Sequence, residues 1–224
     1  TDIATTLEPL LRPDRALVST GMPVIVLDPG HGGADGGASG RRIPEKDVTL
    51  DIARRAGRLL SAAGPTVWLT RDSDVALTLS QRGRIAREKR AGIFLSIHMN
   101  SAQNTNACGI ETYTVPAAGF TSTAQRESGT QALPGNRFDA ANTLLAYHLH
   151  RSLLETTGAS DRGVKRARFD VISDTGCPAV LIECGFISNA FEEEMAATTT
   201  YRELIATAIS RGVVAYLSNQ KVSR

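Results

Sequence analysis

The sequence predicts an α/β fold: a single domain with a central, mostly parallel (mixed) sheet flanked by helices on both faces. Short apolar runs, beginning with residues 24–27, alternate along the chain with stretches of helical periodicity. The runs are apolar throughout, which is typical of buried strands in parallel sheets. With 224 residues, of which 42% are hydrophobic, the chain is long enough to bury one such core.

The boundaries of the predicted elements follow from hydrophobic periodicity and from glycine and proline residues. Residues 1–22 lack a strong period, and we interpret them as a tail or linker packed on the domain; the domain covers 23–218, and 219–224 form a C-terminal tail. The first helix begins at Glu45 and stops before Gly64-Pro65. Further strands are predicted at 66–70, 93–98, 110–115, 169–172 and 179–183, and further helices at 80–90, 141–153 and 201–217.

Composition excludes several classes of protein. The net charge of +2 is spread along the chain, so we expect no nucleic-acid partner. No run of about 18 apolar residues is present, which predicts no transmembrane segment. The chain opens at Thr1 without the regions of a signal peptide, so a secreted protein would be in mature or trimmed form here. Cys108, Cys177 and Cys184 allow at most one disulfide, and thiols are the simpler expectation.

Four ionisable residues stand at the ends of predicted strands or in the segments that follow them. His31 follows the first strand, Glu45 opens the next helix, and His98 and Glu183 each end an apolar strand. In an α/β sheet, ligands bind in the crevice outside the carboxyl ends of the strands, so we expect these side chains to converge. Two imidazoles and a carboxylate are typical of catalytic zinc sites, which keep one coordination position open.

The residues alone leave other interpretations open. His31 could be a turn residue among glycines, and Glu45 could simply complement the helix dipole. His98 and Glu183 are harder to explain away, since a polar group at the end of a buried strand needs a partner. The spacing contains no short zinc motif, so it does not fix the metal. His148 and His150 lie on a periodic helix, and we expect packing or surface roles for them.

Seven short motifs occur in one order along residues 24–217. The sequence resembles, through these motifs together, the zinc-dependent N-acetylmuramoyl-L-alanine amidases that include bacterial cell-separation and sporulation enzymes. The motifs are Leu27-Asp28-Pro29-Gly30-His31-Gly32-Gly33, Glu45-Lys46-Asp47, Thr70-Arg71, Ser96-Ile97-His98-Met99-Asn100, Gly109-Ile110-Glu111-Thr112-Tyr113, Asp161-Arg162-Gly163-Val164 and Ile182-Glu183-Cys184-Gly185-Phe186-Ile187-Ser188-Asn189.

The resemblance implies a set of roles for particular residues. His31, Glu45 and His98 would bind Zn²⁺, and Glu183 would be the catalytic glutamate. The substrate would be peptidoglycan, cut between N-acetylmuramic acid and L-alanine. Asn100 and Arg71 are candidates for contacting the glycan or peptide carboxylates, unless they brace loops. Cys184 departs from the small or apolar residue expected beside the glutamate.

The resemblance also carries expectations about the setting of the enzyme. We expect a monomer in the periplasm or extracellular cell envelope, with an activator protein as a regulatory partner. Residues 116–137 fall where some family members carry a regulatory insert; we interpret them as a flexible rim, with an autoinhibitory lid as the alternative.

Two other functions remain as alternatives. A catalytically silent module could bind peptidoglycan or a divisome partner through the same cleft, although it would not need all four site residues. A zinc peptidase would use the same residues on another amide. The glycine-rich segment 30–40 lacks the motifs of nucleotide-binding loops, which excludes that reading.

Overall fold

The computed structural model describes residues 3–16, 23–124 and 129–219. It contains a six-stranded sheet and helices on both of its faces, as predicted. The strands are β1 (Val24–Pro29), β2 (Thr66–Leu69), β3 (Ile93–Asn100), β4 (Ile110–Thr114), β5 (Asp161–Arg166) and β6 (Ala179–Phe186). The α-helices are α1 (Glu8–Leu11), α2 (Glu45–Ala62), α3 (Leu79–Glu88), α4 (Asp139–Thr157), α5 (Asp170–Ser173), α6 (Ala190–Ala197) and α7 (Thr199–Ser218).

The sheet has the order β2-β1-β3-β6-β4-β5. The first four strands of this order run parallel to one another, while β4 is antiparallel to β6 and parallel to β5. The sheet is therefore mixed, as predicted. The carboxyl ends of β1, β3 and β6 meet at one edge, where β3 also has a register irregularity between His98 and Asn100.

The alternation of side chains along the central strands separates two cores. In β3, Leu95 and Ile97 face the larger core, which α2, α4 and α7 cover. Phe94 faces the smaller core on the other side of the sheet, where α3 and α5 pack. Ser96 and His98 share the face of Phe94 because strand side chains alternate with a period of two. The smaller core stops short of the strand ends, and polar residues replace it there.

One predicted element in the C-terminal half is wrong, and two elements there were not predicted. Residues 169–172 were expected to be a strand, but the chain forms the short helix α5 there. A run of four residues, three of them apolar or aromatic, does not by its period distinguish a strand from a buried helical turn. The sheet instead ends at β5, which lies at its edge. The polar, glycine-containing sequence of β5 has little strand character. Helix α6 was not predicted at all.

The predictions for the chain termini, the cysteines and membrane-spanning helices have different outcomes. A π-helical turn (Ile3–Leu7) and α1 pack against α4, so the described part of the N-terminal segment lies on the domain. Of the predicted tails, 1–22 and 219–224, residues 1–2, 17–22 and 220–224 lie outside the described residues, and the boundaries at 23 and 218 stay predictions. All three cysteines are free thiols. In the described ranges, no helix has the length and apolarity needed to span a membrane.

Candidate metal centre and catalytic site

Three of the four predicted site residues come together at the carboxyl edge of the sheet. His31 follows β1, His98 lies in β3, and Glu45 is the first residue of α2. One ligand atom from each of these side chains lies within 4.8 Å of the other two. We call these residues the His31–Glu45–His98 cluster. Their convergence was expected from the parallel strands, and the structure adds the distances.

Glu45 is the centre of the cluster. Its Oε2 lies 3.1 Å from His31 Nε2, and its Oε1 lies 2.9 Å from His98 Nδ1. The backbone N–H groups of Ala38 and Met99 donate one further bond to each oxygen, at 2.8 and 3.0 Å. Four contacts thus fix a side chain that is only 2% exposed. The carboxylate does far more than complement the dipole of α2.

Two glycines leave room for the cluster. A Cβ at Gly30 would overlap the ring of His98, and a Cβ at Gly37 would lie 2.6 Å from both Glu45 Oε2 and His31 Cδ2. His31 itself has φ of 60°, a left-handed conformation that non-glycine residues rarely adopt. Such backbone strain is concentrated at functional sites. The glycine-rich loop is therefore shaped to bring two side chains close together.

Asp35 is a site residue that the sequence analysis missed. Its Oδ2 lies 2.9 Å from His31 Nδ1, on the side of the ring opposite to Glu45. Histidines that bind metals usually give their other ring nitrogen to a carboxylate or carbonyl, which fixes the ring and its tautomer. The signal was present in the sequence as an acidic residue four positions after His31.

The carboxylates also control the protonation of the cluster. The hydrogen bond with Glu45, opposed by burial and assisted by Asp35, raises the pKa of His31 to about 9. Burial works against ionisation of Glu45, but its bonds to the two imidazoles hold its pKa far below the usual value. Burial also opposes the charged form of His98, yet Glu45 and Glu183 raise its pKa. The carboxylates around the two imidazoles therefore favour positive charge on them.

Glu183 lies beside the cluster in β6, with His98 as its register partner in β3. Its Oε2 is buried and has no hydrogen-bond partner among the described residues. Burial, opposed by the charge on His98, raises its pKa to about 7. Cys184 points to the opposite face, into the larger core, where it is fully buried. The unexpected cysteine is therefore a core residue and not a neighbour of the Glu183 carboxylate.

Comparison with known proteins identifies the family to which this geometry belongs. A family model described as N-acetylmuramoyl-L-alanine amidase matches residues 25–215, which is most of the chain. The chain belongs to this amidase family. The membership confirms the family and the enzyme class that the motifs suggested.

The similarity extends to individual members of the family. The amidase AmiA of Escherichia coli K12 is 33% identical over 92% of this chain and 81% of its own length. LytC of Bacillus subtilis is 37% identical over 86% of this chain, which spans only 35% of LytC. The solved catalytic domain of CwlV, from Paenibacillus polymyxa, is 33% identical with a TM-score of 0.74, covering 88% of this chain and 99% of that domain.

One solved family member was captured with another protein. The CwlD amidase of Clostridioides difficile, in complex with the GerS lipoprotein, is 29% identical to this chain, with a TM-score of 0.73 and coverage of 88% of this chain and 98% of CwlD. An amidase of the same fold therefore has a protein partner.

Arg71, one of two candidate substrate contacts, is placed beneath the loop. Its side chain is 3% exposed and donates hydrogen bonds to the backbone carbonyls of Pro29, Gly30 and Lys46, at 2.8 to 3.0 Å. These carbonyls belong to the loop that carries His31 and to the first turn of α2. Arg71 thus braces the cluster, which is the alternative that the sequence left open.

Asn100 lies two residues beyond His98 at the edge of the cleft. Its side-chain N–H donates to Glu111 Oε2 at 3.1 Å, and its Oδ1 accepts from the backbone of Ser101 at 2.8 Å. A role for Asn100 in binding substrate stays a prediction. The predicted packing role of His150 fits its position, since it is buried and bonded to Thr112 and Asp161.

A second polar group that the sequence did not reveal lies below the cluster, on the same face of the sheet. Asp28 Oδ1 accepts hydrogen bonds from Thr70 at 2.6 Å and Arg82 at 2.8 Å, and its Oδ2 accepts from Ser96 at 2.8 Å. All four residues are buried. We call them the Asp28 network. Arg82 also donates to the carbonyl of His31 at 2.8 Å, which ties the network to the loop above.

The described parts of the predicted rim at 116–137, which are residues 116–124 and 129–137, lie at the β5 edge of the sheet. Thr123 bonds to the backbone of Arg166, and Arg168 donates to the carbonyls of Gly129 and Gln131. In the described parts, 116–124 and 129–137, the structure records no hydrogen bond to the four site residues. These contacts fit a rim better than a lid over the cluster.

Proposed function

We propose that the chain is a zinc-dependent amidase that hydrolyses the bond between N-acetylmuramic acid and L-alanine in peptidoglycan. In this proposal His31, Glu45 and His98 bind zinc, and Glu183 is the general base. One observation carries it: three metal-ligand atoms lie within 4.8 Å of one another, beside a carboxylate whose buried Oε2 has no partner among the described residues.

The residues present fit a zinc ion. Two imidazole nitrogens and one carboxylate oxygen form the donor set of catalytic zinc sites, which leave a position for water or substrate. The contacts between Glu45 and both histidines, at 2.9 and 3.1 Å, bring the three donors to a common point. Asp35 orients His31 from behind, and Gly30 and Gly37 give the ligands space. These features support the proposed ligand set.

An amide resists hydrolysis because its carbonyl is a poor electrophile and its nitrogen must be protonated before it leaves. When bound, zinc supplies Lewis-acid chemistry, which polarises a carbonyl and lowers the pKa of water. An oxygen of the Glu183 carboxylate accepts a proton from the attacking water as the new C–O bond forms. The same oxygen then gives that proton to the nitrogen of L-alanine as the C–N bond breaks.

The environment of Glu183 suits both proton transfers. A pKa of about 7 allows a carboxyl group to accept and return a proton near neutral pH. Oε2 is buried and bonds to no described residue, while Glu183 as a whole is partly exposed, so its carboxylate can be reached by water and by the leaving nitrogen. The neighbouring strand holds the carboxylate beside His98.

The biological setting is part of the same proposal. The family members named above are amidases of bacterial walls, and one was solved with a lipoprotein. We infer that this chain acts in the periplasm or the extracellular envelope, in wall remodelling or daughter-cell separation, as a monomer. An activator protein is its proposed regulatory partner.

Digestion of purified peptidoglycan tests the function, before and after chelation and after restoration of zinc. The proposal expects zinc-dependent release of fragments whose ends, by mass analysis, are free muramic lactyl carboxylates and L-alanine amino termini. Cleavage within the peptide would make the enzyme a peptidase. Binding without any release, with zinc present, would favour a silent module.

A further inference from the structure

A compact group of charged residues lies on the same sheet face as Glu183 and has no part in the mechanism above. Its centre is Glu111 in β4, which is 3% exposed. Arg162 Nε and Lys165 Nζ both donate to Glu111 Oε1 at 2.6 Å. Tyr113 and Asn100 donate to Oε2. We call Arg162 and Lys165 the cation pair.

The hydrogen bonds keep Glu111 charged. Burial opposes ionisation, but the bonds from Lys165, Tyr113 and Arg162 lower its pKa below the usual value. Glu111 therefore carries one negative charge against two positive charges, and the group has a net charge of +1. One carboxylate needs only one cation for neutrality, so the second positive charge is left for another anion.

The cation pair also has free donors and access to solvent. The Arg162 and Lys165 side chains are 36% and 28% exposed. Arg162 Nη2 has no hydrogen-bond partner among the described residues, and Lys165 Nζ uses one of its three donors there. The guanidinium of Arg162 lies 4.8 Å from the ring centre of Phe186, at the end of β6. Both cations are thus positioned by neighbours, with donors left to bind a ligand.

The position of the group relates it to the scissile bond. Glu111 is directly opposite Glu183 in the antiparallel pair of β4 and β6. Directly opposed residues have Cβ atoms about 5 Å apart, so cations held on Glu111 lie roughly 5–10 Å from Glu183. An extended peptide advances about 3.5 Å per residue. The cation pair is therefore within reach of the second or third residue of a peptide whose first amide lies at Glu183.

We propose that Arg162 and Lys165, aimed by Glu111, bind a carboxylate of the substrate's peptide, on the residue that follows L-alanine. This inference rests on the proposed function, because it takes the amide at Glu183 as its reference point. Charge-assisted hydrogen bonds from an ammonium and a guanidinium recognise a carboxylate more strongly than a carboxamide. The enzyme then prefers peptides with a free acid at this position to amidated ones.

A matched pair of substrates tests the preference in the zinc-loaded enzyme. One is N-acetylmuramoyl-L-alanyl-D-glutamate, and the other is the same compound with both carboxylates amidated. For the unmodified enzyme, we expect a KM about tenfold lower for the acid, the effect of one hydrogen bond to a charged group. Lys165→Met removes one cation while Arg162 still neutralises Glu111, so the fold is preserved.

The variant and its controls separate recognition from structure. Lys165→Met raises the KM for the acid about tenfold, changes that for the amide by less than about twofold, and leaves kcat within about twofold. Lys165→Arg restores the preference. Arg54→Gln, which removes a half-exposed cation paired with Asp72 on α2, leaves both KM values unchanged. Equal KM increases on both substrates, a loss confined to kcat, or no change would each overturn the inference.

Binding of the product peptide distinguishes this inference from the proposed function, because it needs no turnover. L-Alanyl-D-glutamate and its diamide are titrated into the zinc-loaded enzyme in a calorimeter. Tighter binding of the acid that Lys165→Met abolishes supports the cation pair, even if neither muramoyl compound is cleaved. Cleavage of both compounds with no preference in KM or in binding supports the function and overturns the cation pair.

Discussion

Two polar groups lie on one face of the sheet, and they differ in completeness. In the Asp28 network, both carboxylate oxygens accept hydrogen bonds from buried neighbours. At the strand ends above it, the three side chains of the His31–Glu45–His98 cluster gather their ligand atoms beside Glu183, whose Oε2 lacks a partner among the described residues. The hydrogen bonds of the Asp28 carboxylate are completed within the protein, whereas the upper site keeps a buried carboxylate oxygen without a partner among the described residues.

This difference provides a criterion that separates structural from functional polar residues in this fold. Both groups are rich in ionisable side chains at the ends of apolar strands, so residue type and position do not distinguish them. The two groups are distinguished by whether their buried polar atoms have hydrogen-bond partners. A buried polar atom without a partner destabilises the fold, so its presence points to a function. Changes in the network should alter stability, while changes in the cluster should alter zinc affinity and turnover.

The largest effect is expected from Asp28→Ala. The substitution leaves the buried guanidinium of Arg82 without its carboxylate, and breaking such a buried pair costs about 3–5 kcal/mol. Urea unfolding in the presence of a chelator measures this loss without zinc. Asp72→Ala, which breaks a pair that is largely exposed, is the control and should cost less than about 1 kcal/mol. Equal losses in the two variants would contradict the distinction.

His98→Ala should change zinc affinity and not chiefly the stability of the zinc-free protein. Removing one ligand takes its share of a zinc-binding free energy, so we expect affinity to fall by roughly a hundredfold or more. Amidase activity should disappear at ordinary zinc concentrations and return in part with excess zinc. Competition with a chromogenic chelator gives the affinity. A variant that bound zinc as tightly as the unmodified protein would remove His98 from the ligand set.

Asp35→Asn tests the orienting contact to His31. Loss of such a partner lowers metal affinity about 10–100-fold, so zinc should bind more weakly although all three ligands remain. The same chelator competition measures it, with Asp72→Asn as an exposed control outside the cluster. An unchanged affinity would show that the contact with Asp35 has no influence on the ligand.

The pH dependence of zinc binding follows from the raised pKa of His31. Zinc binds the neutral imidazole, while a pKa of about 9 means that the metal-free protein holds a proton there at pH 7. Zinc affinity should therefore fall by at least about tenfold for each unit below pH 9, because protons compete for His31 and also for His98, whose pKa is raised. Calorimetry in buffers of different ionisation enthalpy counts the released protons. A constant affinity between pH 7 and 9 would contradict the expectation.

The sequence predicted the fold class and the convergence of three side chains at one sheet edge because both depend on apolar runs. His31, His98 and Glu183 each interrupt or follow such a run, and parallel strands bring their ends to one edge. Prediction from the sequence failed where the hydrophobic periodicity is weak, as in the polar strand β5 and in the short helix α5.

Partners that arise only from tertiary structure were also missed. The Asp28 network joins residues as far as 68 positions apart, and Glu111 meets the cation pair more than 50 positions away. Neither contact follows a local period, although motifs containing these residues were recognised. Asp35 is different, since its spacing from His31 was visible.

Substitution of Glu183 by glutamine, with zinc content and turnover measured on the same preparation, separates the proposed proton transfer from zinc binding. Glutamine keeps the size of the side chain but cannot accept and return the proton, a contribution of about 10²–10⁴-fold to rate. We expect the Glu183→Gln protein to retain zinc as the unmodified enzyme does and to lose amidase turnover by about 10²–10⁴-fold. Turnover near the original rate, with zinc bound, would contradict it.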